Sequence, residues 1–177
     1  MTLSAEEIAR NARHEAVTPR DHAILRRAFA LAELGLARGE RPFGAVITDP
    51  DGNILGEGYA CTIERGDTTA HAEITAIRRA CAQTSRDQLA ACTLYSSAEP
   101  CAMCAGAIYW ANIRRVVFGL SEERLRRLRN MSERTAALTM GCAAVLTTGG
   151  HPTEVIGAVL EGEAIRPHLA FWGACKV

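Results

Sequence analysis

The feature that most constrains the fold is a pair of short motifs, His-x-Glu at residues 71–73 and Pro-Cys-x-x-Cys at residues 100–104. Each motif lies at the start of a predicted helix, after a loop or a strand end. Cys101 and Cys104 are three positions apart, so on a helix their sulfur atoms project from one face and can hold one metal ion. A fold that uses both motifs must bring two helix starts together at the edge of a sheet.

The residue types in these motifs fit a catalytic zinc site. A helix N-terminus favours the thiolate forms of Cys101 and Cys104, and His71 adds a neutral third ligand. Three protein ligands leave the fourth tetrahedral position for a water, as in catalytic rather than structural zinc sites. Glu73 is then free to carry protons, and the backbone N–H of Cys101 is predicted to donate to a developing oxyanion. The sequence therefore predicts one zinc ion per chain.

Each motif alone has other interpretations. A Cys-x-x-Cys pair can be a redox pair, half of a structural zinc site or two small buried residues. A redox pair would give His71 no role, and a structural site needs a fourth ligand, for which Cys61, Cys81 and Cys92 are candidates by number alone. An inactive binding module stabilised by zinc is an alternative from another class of protein, but it has no use for Glu73. Together the two motifs are the signature of zinc nucleobase deaminases.

Helical and strand-like patterns alternate along the chain. Helices are predicted from Pro19 to Gly39, Ala70 to Ala82, Cys101 to Asn112, Ser121 to Asn130, Arg134 to Val145 and Glu161 to Trp172, and Ser4 with Glu7 begins a short helix or arm within residues 1–18. Strands are predicted over Phe43–Thr48 and Ile54–Tyr59, joined as a hairpin by residues 49–53, and over Cys92–Ser96, Arg115–Leu120 and Thr153–Val159. This order predicts one α/β domain over residues 1–177, a three-layer α/β/α fold with a central mixed sheet of about five strands.

Composition narrows the class of protein. Twenty basic and twenty acidic side chains give a formal net charge of zero, which argues against a protein that coats nucleic acid or an anionic membrane. Seven cysteines at irregular spacing do not form a disulfide framework, and residues 1–7 lack the pattern of a secretory signal. The least polar run, residues 135–148, is too short and too rich in Thr to span a bilayer. We therefore expect a cytoplasmic protein.

From about residue 21 to residue 120 the sequence resembles the cytidine deaminase-like superfamily, and within it the bacterial guanine deaminases and tRNA adenosine deaminases. The segments that carry the resemblance are Arg41–Ile47, Thr69–Arg78 and Leu94–Ala111. The first and third look more like guanine deaminase, whereas the tail around Val155–Leu160 looks more like the tRNA enzyme. The resemblance implies the fold described above, a homodimer and a substrate pocket. The pocket residues that it implies are Phe43, Gly44, Ala45, Ala70 and Ala98.

Two departures from the family concern the substrate. Many relatives have an Asn that contacts the substrate in the loop before the zinc histidine, and Ala60 takes that position here. A methyl group neither donates nor accepts a hydrogen bond, so the ring must be recognised differently. Guanine deaminases are also expected to use an acidic residue from the C-terminal third. The nearest candidates are Glu122, Glu123 and Glu133.

Several other residues have both a structural and a functional interpretation. Trp172, with Phe171, either anchors the last helix or closes the pocket over a planar base. The arginines at 124, 126, 127 and 129 could hold a phosphate backbone, but the pattern favours an ordinary solvated helix face. Tyr109 and Trp110 could line a dimer interface. The isolated histidines and the remaining unpaired cysteines are predicted to be structural: His14, His22, His151, His168, Cys142 and Cys175.

These observations predict a hydrolytic deaminase that removes the exocyclic amine of a small nucleobase or nucleoside, with a guanine-like purine as first choice. Water activated at the zinc site attacks the ring carbon that bears the amine, and Glu73 passes the proton to the ring nitrogen and then to the leaving ammonia. The alternatives are wobble adenosine in tRNA, cytosine or another aminated heterocycle, and the inactive binding module. A deaminase of tRNA needs a basic surface, yet residues 171–177 carry one positive charge.

Overall fold

Helix α1 (Pro19–Ala37) begins at the predicted Thr-Pro pair. In a computed structural model, which describes residues 17–130, 138–151 and 153–173, the Thr18 hydroxyl accepts a hydrogen bond from the Asp21 N–H at 3.1 Å. The Asp21 carboxylate in turn accepts one from the Thr18 N–H at 2.7 Å. This reciprocal pair satisfies two backbone donors at the helix start, and the proline has no N–H there to leave unpaired.

The sheet has five strands in the order β2-β1-β3-β4-β5. The strands are β1 (Gly44–Thr48), β2 (Ile54–Tyr59), β3 (Thr93–Ala98), β4 (Arg115–Leu120) and β5 (Glu154–Ile156). Strand β1 is antiparallel to β2 and β3, whereas β4 is parallel to β3 and β5. The predicted mixed sheet that opens with a hairpin is confirmed.

Helices cover both faces of the sheet. After α1 they are α2 (Ala72–Cys81), α3 (Arg86–Leu89), α4 (Ala102–Trp110), α5 (Glu122–Asn130), α6 (Cys142–Leu146), α7 (Glu161–Ala164) and α8 (Arg166–Gly173). Because strand side chains alternate between faces, Ile47 and Leu94 pack with α2, α4 and α6, while Val46 and Tyr95 pack with α1, α5 and α7. The three-layer architecture is confirmed.

The structure corrects several predicted boundaries. The last strand ends at Ile156 and not at Val159, and Gly157 beyond it lies against the ring of Phe118, where a Cβ atom would come within 2.0 Å. The last helix is split after Ala164 because Pro167 has no N–H to continue the helical ladder.

Helix α3 was not predicted, although Ser85 and Gln88 form its capping box. Of the helix predicted over residues 134–145, the described residues show only α6, which begins at Cys142. Residues 131–137 and the predicted N-terminal helix or arm lie outside the described residues. No helix in the described ranges is long and apolar enough to cross a membrane.

Two glycines allow close helix packing against the sheet. A Cβ atom at Gly44 would lie 2.2 Å from the backbone oxygen of Ala28 in α1, and one at Gly56 would lie 2.3 Å from that of Ala76 in α2. Real side chains do not approach this closely, so any larger residue would push these helices away from the sheet. The consequence for α2 matters most, because His71 lies at its start.

A buried ion pair ties α1 to the centre of the sheet. The Asp21 carboxylate, 4% exposed, accepts hydrogen bonds from the guanidinium of Arg115 at 2.7 Å and from the hydroxyl of Tyr95 at 2.6 Å. Burial opposes ionisation of Asp21, but the hydrogen bonds from Arg115, Tyr95 and Thr18 outweigh it and lower its pKa. Burial and the neighbouring Asp21 raise the pKa of Tyr95 to about 12. The network therefore holds a charged Asp21 and a protonated Tyr95.

We expect Asp21→Ala to lower the free energy of unfolding by about 3 kcal/mol, the scale for removing one partner of a buried ion pair. Urea denaturation measures this. The matched control is Glu163→Ala, which removes the exposed pair with Arg26 and should leave the unfolding midpoint nearly unchanged. Equal effects of the two substitutions would contradict a special role for the buried pair.

Candidate active site

One edge of the sheet collects the ends of several strands. Strand β1 begins at the edge where β2 and β3 end, because β1 is antiparallel to both, and parallel β4 ends there as well. Backbone hydrogen bonds join the segments at this edge. The Ala60 N–H donates to the Phe43 carbonyl oxygen at 3.0 Å, and the Glu99 N–H donates to the Leu120 carbonyl oxygen at 2.7 Å. Both motifs lie at this edge.

His71 and Cys101 occupy equivalent positions, each as the N-cap residue of its helix, α2 and α4 respectively. Both have extended backbone angles, with φ of −67° and ψ of 161° or 169°, and neither side chain caps its own helix. Their carbonyl groups begin the helical hydrogen bonds, to Thr75 N–H at 2.9 Å and Ala105 N–H at 2.8 Å. The imidazole and the thiol are therefore free to point toward each other.

The three predicted ligands converge. His71 Nδ1 lies 3.5 Å from Cys104 Sγ and 3.7 Å from Cys101 Sγ, and all three ligand atoms lie within 4.8 Å of one another. A tetrahedral zinc ion with bonds of about 2.3 Å to sulfur and about 2.0–2.1 Å to nitrogen places such atoms about 3.6 Å apart. These residues therefore fit one zinc ion without rearrangement.

The structural-zinc interpretation finds no support at this site. In the described part of the chain, the group of histidine, cysteine and acidic residues close enough to hold a metal consists of these three ligands alone. Cys61, Cys81 and Cys92 do not belong to it, and each is a free thiol. A three-residue set with a cavity beside it is the arrangement typical of a catalytic zinc ion.

Mutual hydrogen bonds and burial shift the pKa values of Cys101, Cys104 and His71. The hydrogen bond from Cys104, followed by that from His71, lowers the pKa of Cys101 to about 4 despite burial. The same interaction, together with burial and the nearby Glu73, raises the pKa of Cys104. The contact with Cys101 raises the pKa of His71. The Cys101 sulfur is therefore the atom of this group that carries negative charge most readily, and a metal cation there would stabilise a thiolate on Cys104 as well.

Glu73 lies in the first turn of α2 and is 5% exposed. Its Oε1 accepts a hydrogen bond from the Ser96 hydroxyl at 3.2 Å, and its Oε2 lies 3.5 Å from Cys104 Sγ. Burial raises the pKa of this carboxyl group. Ser96, a buried residue of β3 that the sequence analysis did not single out, therefore fixes one carboxyl oxygen next to the predicted metal. The alternating pattern of β3 could have placed it on the face toward α2.

A cavity of about 190 Å³ opens beside these groups. Its lining residues are Arg41, Phe43, Ala60, Thr62, His71, Glu73, Glu99, Cys101, Ala102, Glu122, Arg129, Leu138 and Met140. Of the predicted substrate contacts, Phe43 and Ala60 are therefore in the wall. Gly44, Ala45, Ala70 and Ala98 are buried and are not among these lining residues. Their predicted contact with substrate, like the donor role of the Cys101 N–H, stays a prediction.

Two carboxylates, a partly buried one on Glu99 and a buried one on Glu40, hold the loops around the cavity. Glu99 accepts hydrogen bonds from the backbone N–H groups of Glu122 and Cys142, both at 3.0 Å, and so connects the metal loop to α5 and α6. Glu40, 1% exposed, accepts from the N–H groups of Ile63 at 3.0 Å and Glu64 at 2.6 Å. These bonds fix the loop that contributes Thr62 to the wall.

The part of the cavity wall that Arg129 and Glu122 of α5 contribute, called the far wall below, differs from the solvated helix face that the sequence predicts. Arg124 and Arg127 form surface ion pairs, as a solvated face requires, but Arg129 turns into the cavity and is 17% exposed. Glu122 lies near it, with 3.9 Å between Glu122 Oε1 and an Arg129 guanidinium nitrogen. The spacing of seven residues, two helical turns, was the signal that places both on one face of α5.

The other acidic candidates for a substrate contact do not line this cavity in the described structure. Glu123 pairs with Arg127 on the surface, and Glu133 lies outside the described residues.

Trp172 does not line the cavity but supports that wall. Its ring lies 6.2 Å from Phe43 and 5.5 Å from His168, centroid to centroid. His168 is fully buried, and burial together with Arg129 lowers its pKa to about 3. A neutral imidazole in an aromatic cluster fits the predicted structural role of His168. The anchoring interpretation of Trp172 is therefore the one that its contacts support.

The other aromatic and histidine candidates lie elsewhere. Tyr109 stacks on His151 at 4.3 Å, and its hydroxyl accepts from the Gly150 N–H at 2.9 Å. Trp110, in contrast, is 73% exposed. His22 lies on α1, and His14 and Cys175 lie outside the described residues.

Comparison with known proteins agrees with this site. The profile of the cytidine and deoxycytidylate deaminase zinc-binding region matches residues 18–120. A probable cytosine deaminase of Schizosaccharomyces pombe is 41% identical over 156 residues, which cover 88% of this chain and 94% of that protein. The guanine deaminase of Bacillus subtilis is 50% identical over 96 residues, which cover 54% and 61%.

A solved structure is similar as well. It comes from a study of A-to-I editing by tRNA:A34 deaminases at the wobble position of transfer RNA and is 30% identical, with a TM-score of 0.58 over 76% of this chain and 95% of that one. The matched profile includes both motifs, and the fold and the zinc-compatible ligand set agree with it. The chain therefore belongs to the cytidine deaminase-like superfamily and is a zinc-dependent enzyme that removes an amine by hydrolysis.

Proposed function

We propose that this protein deaminates a small nucleobase or nucleoside, with guanine as its first substrate. The observation that carries the proposal is the size of the cavity beside His71, Glu73 and Cys101, about 190 Å³. Pockets for drug-sized ligands are larger, about 300–1,000 Å³. A single planar base fits the smaller volume, and the side chain of Phe43 offers it an aromatic wall.

The chemistry in this proposal is carried by Glu73. His71, Cys101 and Cys104 would hold a zinc ion, which would supply a Lewis acid that makes water nucleophilic near neutral pH. Glu73 takes a proton from the attacking water, gives it to the ring nitrogen, and then moves the second proton to the departing amine. The reaction consumes one water, and the C–N bond breaks to leave a carbonyl group and ammonia. Ser96 orients the carboxyl group throughout.

Two observations rank the bases. Guanine comes first because the Bacillus subtilis guanine deaminase, at 50%, is more similar in sequence than the probable cytosine deaminase, at 41%. Cytosine is the second candidate because the probable cytosine deaminase aligns over nearly the whole length of both chains. Both bases carry a carbonyl oxygen as well as an exocyclic amine, so the same pocket chemistry serves either.

Deamination of adenosine in tRNA is the third candidate. The similarity to the tRNA:A34 deaminase structure favours it, but a net charge of zero provides little of the phosphate neutralisation on which RNA affinity depends. An inactive binding module has the least support, because Glu73 is buried against the ligand cysteine Cys104.

We expect ammonia release from free guanine or cytosine, with turnover nearly unchanged from low to physiological salt. An uncharged base has no phosphates to screen, whereas binding of a tRNA anticodon stem-loop should weaken steeply with salt. A coupled ammonia assay over guanine, cytosine, adenine, their nucleosides and the stem-loop makes the comparison. Salt-sensitive deamination of the stem-loop, with none of any free base, would show that the tRNA branch is the correct one.

Two substitutions test zinc binding and proton transfer separately. Glu73→Gln should retain about one zinc per chain yet lose at least about a hundredfold in turnover, the scale of a positioned general acid–base group. Cys101→Ala should lose zinc, because it removes a ligand. Elemental analysis and steady-state kinetics on both variants provide the test. Full zinc retention in Cys101→Ala would remove Cys101 from the ligand set, and near-normal turnover in Glu73→Gln would overturn the mechanism.

The proposal includes a cytoplasmic homodimer. A reducing compartment keeps the two thiol ligands available, and α4 exposes Trp110 by 73% and Met103 by 38%, an apolar surface that a second copy would cover. Light scattering should give twice the 19.0 kDa of one chain. Trp110→Glu should shift the protein toward the monomer, while Arg127→Glu on the exposed face of α5 should not. A monomer at micromolar concentration in the unsubstituted protein would contradict the dimer.

A further inference from the structure

Arg129 is held in the cavity wall by two aromatic rings. Its guanidinium carbon lies 4.8 Å from the ring centroid of Trp172 and 5.6 Å from that of Phe43. Both distances lie within the range of cation–π attraction. Trp172 approaches from outside the cavity and Phe43 from its wall, so the planar guanidinium is fixed in orientation while one part of it faces the cavity.

The charges around Arg129 favour an electron-rich ligand. Burial, together with the second cation Arg41, lowers the pKa of Arg129, and both arginines line the same cavity. Glu122 partly offsets the positive charge of the two arginines, with an oxygen 3.9 Å from a guanidinium nitrogen of Arg129. Glu99 offsets less of that charge, because both of its oxygens already accept hydrogen bonds from backbone N–H groups. A ligand oxygen in the cavity that accepts from the guanidinium would form a charge-assisted hydrogen bond.

The other lining residues indicate which oxygen of a ligand the Arg129 guanidinium can bind. Ala60 and Ala102 offer no polar side-chain group, and Thr62 is directed toward Glu40 at 3.3 Å. Arg41 and Arg129 bring guanidinium donors to this wall, and Arg129 is the one whose guanidinium lies over the rings of Phe43 and Trp172. On a neutral aminated base, the group that such a donor binds best is a ring carbonyl oxygen.

We propose that Arg129 is a specificity-determining residue that donates a hydrogen bond to a ring carbonyl oxygen of the substrate. This inference rests on the proposed function and deepens it: the substrate class is amino-oxo heterocycles such as guanine and cytosine, as opposed to amino heterocycles without a carbonyl. Trp172 acts through Arg129 as a positioning residue.

The test uses substrate pairs that differ at the carbonyl group: guanine with 2-aminopurine, and cytosine with 4-aminopyrimidine. We expect kcat/KM to favour the carbonyl-bearing member, and Arg129→Met to reduce that preference at least about tenfold, as for loss of a charged hydrogen bond. Comparing ratios between variants cancels the intrinsic reactivity of each base. Arg129→Lys, which keeps the charge but loses the planar fork, should fall between the two.

The matched control is Arg127→Met on the same helix, since Arg127 is exposed and pairs with Glu123. It should leave the preference unchanged. Zinc content and thermal unfolding of each variant show that the fold is intact, and Trp172→Leu, which removes the stacking partner, should reduce the preference in the same direction as Arg129→Met. An unchanged guanine to 2-aminopurine ratio in folded Arg129→Met and Trp172→Leu would overturn the inference.

Binding separates this inference from the proposed function. Calorimetry on Glu73→Gln, with and without Arg129→Met, measures the affinity for guanine and 2-aminopurine without turnover. Tighter binding of guanine that depends on Arg129 supports the inference even if ammonia release fails, in which case the proposed reaction alone is wrong. Equal binding of the two bases, or of neither, would reject the role of Arg129 whatever the activity.

Discussion

The structure depends on two helix N-termini that meet at one point beyond the sheet edge. His71 and Cys101 are both N-cap residues with nearly the same extended backbone angles. An N-cap side chain normally returns to its own helix, but here both turn outward and come within 3.7 Å of each other. The close packing that Gly56 permits between α2 and the sheet fixes the approach of one helix. The contact between Glu99 and α5 and α6 fixes the loop that begins the other.

This arrangement concentrates groups that are costly to bury. An acidic side chain, two sulfur atoms and an imidazole share a largely enclosed space, and burial raises the pKa of Glu73. The same burial strengthens every electrostatic interaction in the site, because water no longer screens it. A zinc ion would balance the thiolates, and the carboxyl group held by Ser96 would exchange protons with a substrate at close range. The cost of burial and the reactivity of the site therefore have one physical origin.

The far wall is built on a different principle from the metal side. The metal side uses local helix geometry, since Cys101 and Cys104 are brought together by their spacing. The far wall instead depends on contacts between Arg129 of α5, Trp172 of α8 and Phe43, the residue before β1. Such a wall can change its ligand preference through single substitutions without disturbing the metal ligands. Ala60, which offers no polar side-chain group, and Arg129 line the same cavity.

Features that depend on local periodicity and on short spacing were predictable from the amino-acid sequence. Alternation in the strands and helical periodicity gave the order of elements and the three layers, and the i, i+3 spacing of Cys101 and Cys104 placed two ligands on one helix face. The predicted end of the last strand was wrong, and beyond the observed end Gly157 packs against Phe118, a contact that the local sequence pattern does not reveal. The environment of Arg129 was likewise not predictable, because its sequence context resembles that of the other arginines on a solvated helix. In the tertiary structure Phe43 and Trp172, the latter from a helix more than forty positions away, pack against Arg129 in the cavity wall, because the environment of a side chain is decided by whichever element packs against it.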